Sequence, residues 1–293
     1  MSMEDLIASV TEANPISVSE EYRTKRLNSI LIRQGKQVPD YSSYDKYIKF
    51  NKKFKICEFP GMIERLNRIH CYYDSYDKVN TNSYIEDNFT SNNIEGAGLN
   101  TLNETLSIIQ SGDSHKDKKS AMVIGYTKAV EAIKENKESS LDFDFCIYLN
   151  SIITSYYSDA EKLGIRDNSV YVGSLTEVAF VPCDCSLIPS LMELLFSDWL
   201  DSYDIFIRSA IMHFLFVWVH PFYDGNGRTA RLILKEILIR EGLTKFENIS
   251  ISKVIHDTTS AYYKAINNSE DEFDITHFIM YMLNVYEKCL TES

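Results

Sequence analysis

The residue types best suited to chemistry lie together in one stretch of the sequence, His220–Arg231, which reads HPFYDGNGRTAR. A histidine can take a proton from a hydroxyl group. Glycines on both sides of Asn226, at the start of a helix, let backbone N–H groups and the helix dipole converge on one anion. Arg228 and Arg231 share a helix face and can both reach that anion, and the Asp224 carboxylate suits Mg²⁺ beside phosphate oxygens. The stretch therefore predicts a site for a polyphosphate, a metal ion and a general base, which suits attack on a nucleotide phosphate.

The elements that must position this stretch are mainly helices. Apolar residues at helical spacing predict that one apolar helix, 203–219, delivers His220, while a second, 229–241, continues from the arginines. The same spacing predicts helices over 62–73, 102–109, 121–134, 141–157, 191–200, 252–266 and 275–290. Two runs rich in β-branched and aromatic residues, 170–174 and 178–181, predict a β-hairpin that ends at Pro182. The expected fold is mainly α with this single hairpin.

The composition is that of a folded, soluble chain. The 293 residues carry a formal charge of −12, with 44% apolar and 25% charged residues, which excludes a disordered or fibrous protein. The acidic balance argues against broad nucleic-acid binding, which needs many basic contacts to phosphate. No signal peptide is visible, and charged or polar residues interrupt the most apolar stretch, 205–222, so no membrane association is expected. The six scattered cysteines form neither a disulfide framework nor a metal pattern, which favours a reducing cytoplasm.

The stretch from His220 to Arg231 resembles the signature of the Fic family, His-x-Phe-x-(Asp/Glu)-Gly-Asn-Gly-Arg-x-x-Arg, at every fixed position. The resemblance implies a helical fold with a β-hairpin flap and the transfer of AMP from ATP to a Ser, Thr or Tyr hydroxyl of a protein. It implies that His220 deprotonates the target hydroxyl, that Phe222 anchors the loop in the core and that Asp224 holds Mg²⁺. The anion nest and the phosphate-binding cations implied are Gly225, Asn226, Gly227, Arg228 and Arg231.

Two further regions gain a role from this resemblance. The hairpin at about 170–181 would clamp a segment of the target protein by strand addition, which main-chain hydrogen bonds support without a fixed sequence. Tyr262 and Tyr263 fall where the family often places an aromatic side chain near the adenosine. Packing between helices explains these two tyrosines equally well.

A second motif lies upstream, at 91–96, and reads SNNIEG. By itself it describes many short helices with a serine cap and a terminal glycine. Beside the full signature it resembles the N-terminal inhibitory helix of class II Fic proteins, (Ser/Thr)-x-x-x-Glu-(Gly/Asn). The resemblance implies that Ser91 and Glu95 form a brake in which Glu95 pairs with Arg231. That guanidinium is then unavailable to the γ-phosphate of ATP, and the α-phosphate is turned away from in-line attack.

The organisation expected from these motifs is an N-terminal helical extension, 1–100, that carries the inhibitory motif, followed by a Fic core, 101–293. The leading hypothesis is an autoinhibited protein adenylyltransferase that uses ATP and Mg²⁺ and acts on a protein target or on itself. No nucleic-acid partner is expected, and self-association stays open. Removal of AMP by the same site is the alternative within the family. A nucleotide-sensing binding module without catalysis is the alternative from another class, although such a module would not need His220.

Overall fold

The structure is a computed structural model that describes residues 56–57, 60–114, 117–168, 170, 172–173, 178–180, 182–183, 185–197, 200–201, 203–272 and 274–292. The helices in this part of the chain are α1 (Pro60–Ser75), α2 (Ser83–Ile94), α3 (Leu102–Ser111), α4 (Lys118–Glu135), α5 (Phe143–Thr154), α6 (Ile188–Leu195), α7 (Ile205–Val219), α8 (Asn226–Arg240), α9 (Ile251–Asp257), α10 (Thr259–Glu272) and α11 (Thr276–Thr291). Short 3₁₀ turns occupy Ala160–Lys162, Cys185–Leu187 and Thr244–Asn248.

Helix α7 lies in the core because its sequence is apolar on nearly every side. Ile211 and Phe214 are fully buried, and α7 packs against α6, α8 and α11. The carboxylate of Asp204 caps its first turn, where it accepts a hydrogen bond from the N–H of Phe206 (2.9 Å). The helix ends at His220, whose φ of 53° is left-handed, a conformation uncommon for a residue with a side chain. The predicted active-site loop therefore leaves α7 through a sharp turn at its histidine.

Two short strands, β1 (Val172–Gly173) and β2 (Val178–Phe180), pair in antiparallel orientation. Val172 lies opposite Phe180, and Gly173 lies opposite Val178. The other parts of the predicted hairpin, 171, 174–177 and 181, lie outside the described residues. Upstream of β1, Ile165 forms an isolated antiparallel bridge with Phe222. The chain that leads into the hairpin thus runs beside the predicted active-site loop.

The helices that precede residue 100 pack on the remainder of the described chain in two different ways. Helix α1 places Met62, Leu66 and Ile69 in the same hydrophobic core as α11. Helix α2 packs against α9 and α4, and its buried side chains are polar. The predicted division of the chain at residue 100 stays a prediction.

Most predicted helices are confirmed, with ends that differ by a few residues. No apolar period predicts α2, and the short serine-capped helix expected at 91–96 is instead the end of α2, with Ser91 in its last turn rather than at its N-cap. The prediction of one helix over 252–266 is wrong, because the chain forms α9 and α10 on either side of Thr258. The hydroxyl of Thr258 donates to the carbonyl of Val254 (2.6 Å), a local bond that competes with regular helix geometry. Across the described helices, none combines the length and the apolar character needed to cross a bilayer.

Candidate active site

The imidazole of His220 is oriented by the backbone of the helix that it ends. Its Nδ1 lies 3.2 Å from the carbonyl oxygen of Val217. Because a carbonyl can only accept, Nδ1 carries the proton and Nε2 is the unprotonated nitrogen of the neutral ring. Burial lowers the pKa of His220 to about 4, although the hydrogen bond to Val217 acts in the opposite direction. At neutral pH the ring can therefore accept a proton at Nε2, as a general base must.

The loop that follows is fixed by two asparagine side chains. Oδ1 of Asn226 accepts from the N–H of Phe222 (2.9 Å), and its Nδ2 donates to the carbonyl of the same residue (2.8 Å). Phe222 is fully buried. From α5, Nδ2 of Asn150 donates to the carbonyl of Asp224 (2.9 Å). Gly225 has a φ of +78°, and a Cβ there would lie 2.7 Å from Nδ2 of Asn150, so this turn requires glycine.

Arg228, in the first turn of α8, is fully buried between Asp224 and Tyr157. Its Nη2 donates to the Tyr157 hydroxyl and to Oδ1 of Asp224, the latter at 3.0 Å. Burial raises the pKa of Tyr157 to about 12, so the hydroxyl stays neutral. In the described part of the chain, Nε and Nη1 of Arg228 are buried and have no hydrogen-bond partner. Buried donors normally have partners, so these two atoms indicate that an anionic ligand completes the site.

Arg231 is held by the end of α2. Its Nε donates to Oγ of Ser91 (2.9 Å), and its Nη2 donates to the Ser91 carbonyl (3.0 Å). Nη2 also forms a salt bridge with Oε1 of Glu95 at 2.7 Å. Burial acts most strongly on Arg231 and opposes its charge, but the Glu95 carboxylate together with Tyr262 and Tyr263 outweighs burial, so the pKa of the guanidinium is raised. The structure thus brings the predicted inhibitory residues into direct contact with a predicted phosphate-binding arginine.

Glu95 also lies against a glycine of the predicted anion nest. A Cβ added to Gly227 would clash with Oε1 of Glu95 and would lie 3.1 Å from Nη1 of Arg231. The carboxylate therefore rests on the first turn of α8, where the helix dipole favours a negative charge. A phosphate group attracted to the same turn would have to compete with Glu95 for this position.

Asp224 is the predicted magnesium ligand, and its two oxygens differ. Oδ1 accepts from Nη2 of Arg228 and from the N–H of Gly225 (2.5 Å), whereas Oδ2 lies 3.9 Å from Nζ of Lys118. Among the residues that the structure describes, no three His, Cys, Asp or Glu side chains are grouped to hold a metal. Magnesium commonly binds one or two carboxylates together with water and substrate phosphates. Oδ2 of Asp224 fits that kind of shared site.

The two tyrosines predicted near the adenosine have different surroundings. Tyr262 is 2% exposed, and its hydroxyl bonds Nε2 of His213 (2.9 Å) within a group of rings that includes Phe278. His213 is buried, and burial lowers its pKa to about 3, so this histidine is neutral. Tyr263 is 43% exposed. Tyr262 thus has the surroundings of a core residue, while Tyr263 has surface available to a ligand.

Three side chains at the site are not predicted from the sequence: Asn150, Tyr157 and Arg166. Asn150 and Tyr157 lie seven positions apart, which places both on one face of the predicted helix 141–157. In the structure α5 ends at Thr154 and Tyr157 lies three residues beyond it, so helical spacing does not mark the pair. Arg166 is 1% exposed and donates to the carbonyl oxygens of Val219 and His220. No local pattern marks it, because its partners are backbone atoms far along the chain.

Comparisons with known proteins agree with this geometry at the level of family and fold. A protein adenylyltransferase Fic from Drosophila willistoni is 28% identical over 240 residues, which are 77% of this chain and 44% of that protein. A protein adenylyltransferase fic-1 from Caenorhabditis briggsae is 30% identical over 203 residues, which are 64% of this chain and 37% of that protein. The chain therefore spans less than half the length of these curated relatives.

Solved structures share the fold at lower sequence identity. A Fic family protein from Desulfovibrio desulfuricans G20 has a TM-score of 0.73 at 20% identity, covering 82% of this chain and 76% of that one. Fic-1 from C. elegans has a TM-score of 0.66 at 20% identity, covering 99% of this chain and 87% of that one. The family model described as Fic/DOC matches residues 140–238, which include α5, both strands and the loop from His220 to Arg231. Residues 140–238 are therefore a domain of the Fic/DOC family.

Proposed function

We propose that the chain is an autoinhibited protein adenylyltransferase, which transfers AMP from ATP to a Ser, Thr or Tyr hydroxyl of a protein. The observation that carries this proposal is the pair of buried, unpartnered donors on Arg228, close along the loop to the neutral imidazole of His220. A guanidinium with two donors left unpartnered and an imidazole whose Nε2 is unprotonated suit a phosphate ester and a hydroxyl nucleophile. The names of the similar proteins, protein adenylyltransferases, support the same reaction.

The reaction that this site would carry out is a displacement at the α-phosphorus of ATP. The target oxygen forms a bond to the α-phosphorus, its proton passes to Nε2 of His220, and the bond from the α-phosphorus to the bridging oxygen breaks, so that pyrophosphate leaves. Arg228 and the N–H groups at the start of α8 would stabilise the charge on the phosphates. Magnesium, held by Asp224 with the phosphates, would neutralise part of their charge. Most of the rate enhancement would come from positioning and electrostatics.

The autoinhibition in this proposal rests on Glu95. Its carboxylate takes a donor of Arg231 and lies against Gly227, so it competes with a phosphate for the cation and for the nest. A charge-assisted hydrogen bond contributes about 1.5–3 kcal/mol, which is strong enough to hold a resting state yet weak enough to reverse. The segment before residue 101 would therefore act as the regulatory part of the chain, with α2 as the inhibitory helix.

The target in this proposal is a protein segment in extended conformation. The paired strands β1 and β2 follow directly on the residues that run beside the loop at Phe222. A segment added to the hairpin at 170–181 would bring its hydroxyl toward His220 through main-chain hydrogen bonds. Tyr263, with its exposed ring, is the tyrosine that we propose for contact with the adenosine.

Labelling with ATP that carries ³²P in its α-phosphate, in the presence of Mg²⁺, tests the proposal. Removing the Glu95 side chain should raise incorporation by roughly 10- to 100-fold, the equivalent of one lost charged hydrogen bond. Glu95→Gln, which keeps the shape and removes the charge, should give an intermediate increase. Adding His220→Ala to Glu95→Gly should abolish incorporation, because no base then accepts the hydroxyl proton.

Glu104→Gly is the matched control for the brake. Glu104 also forms a salt bridge of 2.7 Å, with Lys119, and is 29% exposed, against 27% for Glu95, but it lies on α3. It should leave incorporation at the wild-type level. Equal incorporation by the wild type and Glu95→Gly would show that Glu95 is not a brake. No pyrophosphate release by Glu95→Gly with any protein supplied would contradict the transferase proposal and favour a nucleotide-sensing module.

Hydrolytic removal of AMP is a second candidate for the same site. The side chain of Glu95 is 27% exposed, so its carboxylate can face a water molecule as well as Arg231. A water oriented by that carboxylate could attack the phosphorus of an AMP-modified hydroxyl. Mass spectrometry of a modified protein incubated with this chain and Mg²⁺, without ATP, separates the two reactions. Loss of AMP that requires Glu95 would identify the hydrolase.

A further inference from the structure

Arg166 is a buried cation whose described oxygen acceptors are all backbone carbonyls. Its Nε donates to the carbonyl of His220 (2.7 Å), and its Nη2 donates to those of Val219 (3.3 Å) and Cys183 (2.7 Å). Its Nη1 donates to the carbonyl of Asn168 (3.1 Å). The side chain is 1% exposed. One guanidinium therefore joins the end of α7 to the chain on both sides of the hairpin.

The backbone around Arg166 strengthens the same connection. The N–H of Arg166 donates to the carbonyl of Pro221 (3.0 Å), and Ile165 bridges Phe222. One residue further, the N–H of Asp167 donates to the hydroxyl of Tyr223 (3.3 Å). The segment 165–166 thus runs antiparallel to 221–222 in the signature loop, and the Tyr223 side chain adds a bond to the next residue.

The position of the charge explains why a buried arginine is stable there. The last carbonyls of a helix lack partners within the helix and carry the negative end of its dipole. Arg166 supplies donors to that end of α7, at the residue where the backbone turns left-handed. For a residue with a side chain this conformation costs about 1–3 kcal/mol and persists only when its surroundings hold it. The bond from Arg166 to the carbonyl of His220 is such a restraint.

We propose that Arg166 is a positioning residue for His220: it fixes the left-handed turn that aims the imidazole and ties that turn to the root of the hairpin. The inference rests on the proposed function, in which His220 is the base and the hairpin holds the target. The hairpin, which holds the target segment in the proposed function, and the base at the loop then keep one relative geometry, because the same guanidinium bonds the chain beside both. A misplacement of about 1 Å in such an arrangement costs about 100-fold in rate.

The variants that test this inference are Arg166→Gln and Arg166→Lys, each in the Glu95→Gly background. Arg166→Gln should lower kcat for AMP transfer by roughly 100-fold, while the Kd for ATP, measured by calorimetry, stays within about twofold of the parent. Arg166→Lys keeps the charge but offers one compact donor group, so it should recover part of the loss. Arg240→Gln is the matched control, because Arg240 also donates to backbone carbonyls, those of Ser139 and Asn136, at the other end of α8. Equal kcat for Arg166→Gln and Arg240→Gln would overturn the inference.

A measurement that does not depend on catalysis separates this inference from the proposed function. The charged groups that act on His220 are Glu95 and Asp224, which raise its pKa, and Arg166, which lowers it. NMR titration of the His220 ring should therefore give a higher pKa in Arg166→Gln than in the wild type, and no change in Arg240→Gln. A changed ring environment, seen in the chemical shifts of the neutral His220 ring of a protein without AMP transfer, would support the positioning role and reject the reaction. An unchanged ring environment would reject the positioning role, whatever the pKa.

The wild-type protein provides a further test in case Arg166→Gln does not fold. The Nε–H of Arg166 is buried and bonded to the His220 carbonyl. The NMR signal of that proton should therefore persist at a pH where the Nε–H signals of exposed arginines are lost to exchange. Rapid exchange of this proton in the wild type would contradict the inference.

Discussion

Helices α2 and α7 both lie inside the protein and both present a residue to the candidate site, but they are buried by opposite means. The buried side chains of α7 are mostly large and apolar, such as Phe206, Ile211 and Phe214. The buried side chains of α2 are all polar: Ser83, Asp87, Asn88, Thr90, Ser91 and Asn92. One helix is held by the exclusion of water, and the other by specific hydrogen bonds.

The contacts of α2 show how such a helix is held. Asp87 accepts from Lys235 (2.6 Å) and from the hydroxyl of Ser250 (2.8 Å). Asn88 donates to the carbonyl of Val123 and to the hydroxyl of Thr127, both at 3.0 Å. Water can replace every one of these bonds if the helix moves, so each neutral bond contributes only about 0.5–1.5 kcal/mol net, and the charged bond from Lys235 about 1.5–3 kcal/mol. Exposing one apolar side chain of α7 would instead cost about 1.5–3 kcal/mol.

This difference matches the roles proposed for the two helices. The base, His220, lies at the end of α7, whose apolar side chains have a high free energy of exposure to water, so its position is set by the folded core. Glu95, the proposed brake, follows the helix that water can release. A regulated active site needs both properties, because the catalytic geometry must survive the motion that frees Arg231.

The largest expected effect that tests this comparison is on stability. Phe214→Ala, in α7, should lower the free energy of unfolding by about 3–5 kcal/mol, and Asn88→Ala, in α2, by about 1 kcal/mol. Labelling should show the reverse order, since only Asn88→Ala loosens the brake and raises incorporation from ATP above wild type. Urea unfolding and ³²P labelling of the same preparations measure both. If Asn88→Ala proved as destabilising as Phe214→Ala, the polar helix would be a structural element rather than a releasable one.

The contrast between apolar and polar burial also determines which helices can be predicted from the sequence. Helices α7 and α11 are predicted because apolar residues recur along them at helical spacing, and so is α3, which ends at the left-handed Gly112. Helix α2 has no such pattern, since its buried face is made of residues typical of turns. A helix that packs through hydrogen bonds leaves no apolar period in its sequence.

The site follows a similar division. Residues whose roles depend on near neighbours, such as Asp224 and Arg228 four positions apart (3.0 Å), are predictable from spacing on one helix start. Asn150, Tyr157 and Arg166 reach the loop across 54 to 79 positions. Their partners are backbone groups or side chains brought close only by the packing of α5 and α7. The Glu95–Arg231 pair spans 136 positions and was accessible only through the resemblance of its motif.

The stability of the protein should depend on pH through two histidines, His213 within α7 and His220 at the end of that helix. Burial lowers the pKa of His213 to about 3 and that of His220 to about 4, against 6.5 for the unfolded side chain. Between pH 6 and 5 the unfolded chain therefore takes up protons that the folded chain does not. The free energy of unfolding therefore decreases as the pH is lowered through that window, by at most about 1.4 kcal/mol per pH unit for each histidine.

Urea unfolding at pH 5 and pH 6 checks this slope, with His220→Ala as the comparison. The wild type should lose about 2.5 kcal/mol over the unit, and His220→Ala should lose about half as much, because one of the two histidines with a lowered pKa is gone. An equal loss in both proteins would show that His220 protonates freely in the folded state, which would weaken its assignment as a base placed in the core.

The smallest predicted effect tests whether Ser91 restrains Arg231 in addition to the Glu95 carboxylate. Ser91→Ala removes the hydroxyl that accepts from Nε of Arg231 (2.9 Å), while the Ser91 carbonyl and Glu95 keep their bonds. One hydrogen bond of about 1 kcal/mol corresponds to a rise of about fivefold in labelling, well below that of Glu95→Gly. Ser107→Ala is the control, since that hydroxyl bonds only within α3, to the carbonyl of Asn103. If Ser91→Ala incorporated as much label as the wild type while Glu95→Gly incorporated more, the carboxylate alone would restrain Arg231. The polar face of α2 would then serve to position Glu95 and would not itself restrain the guanidinium.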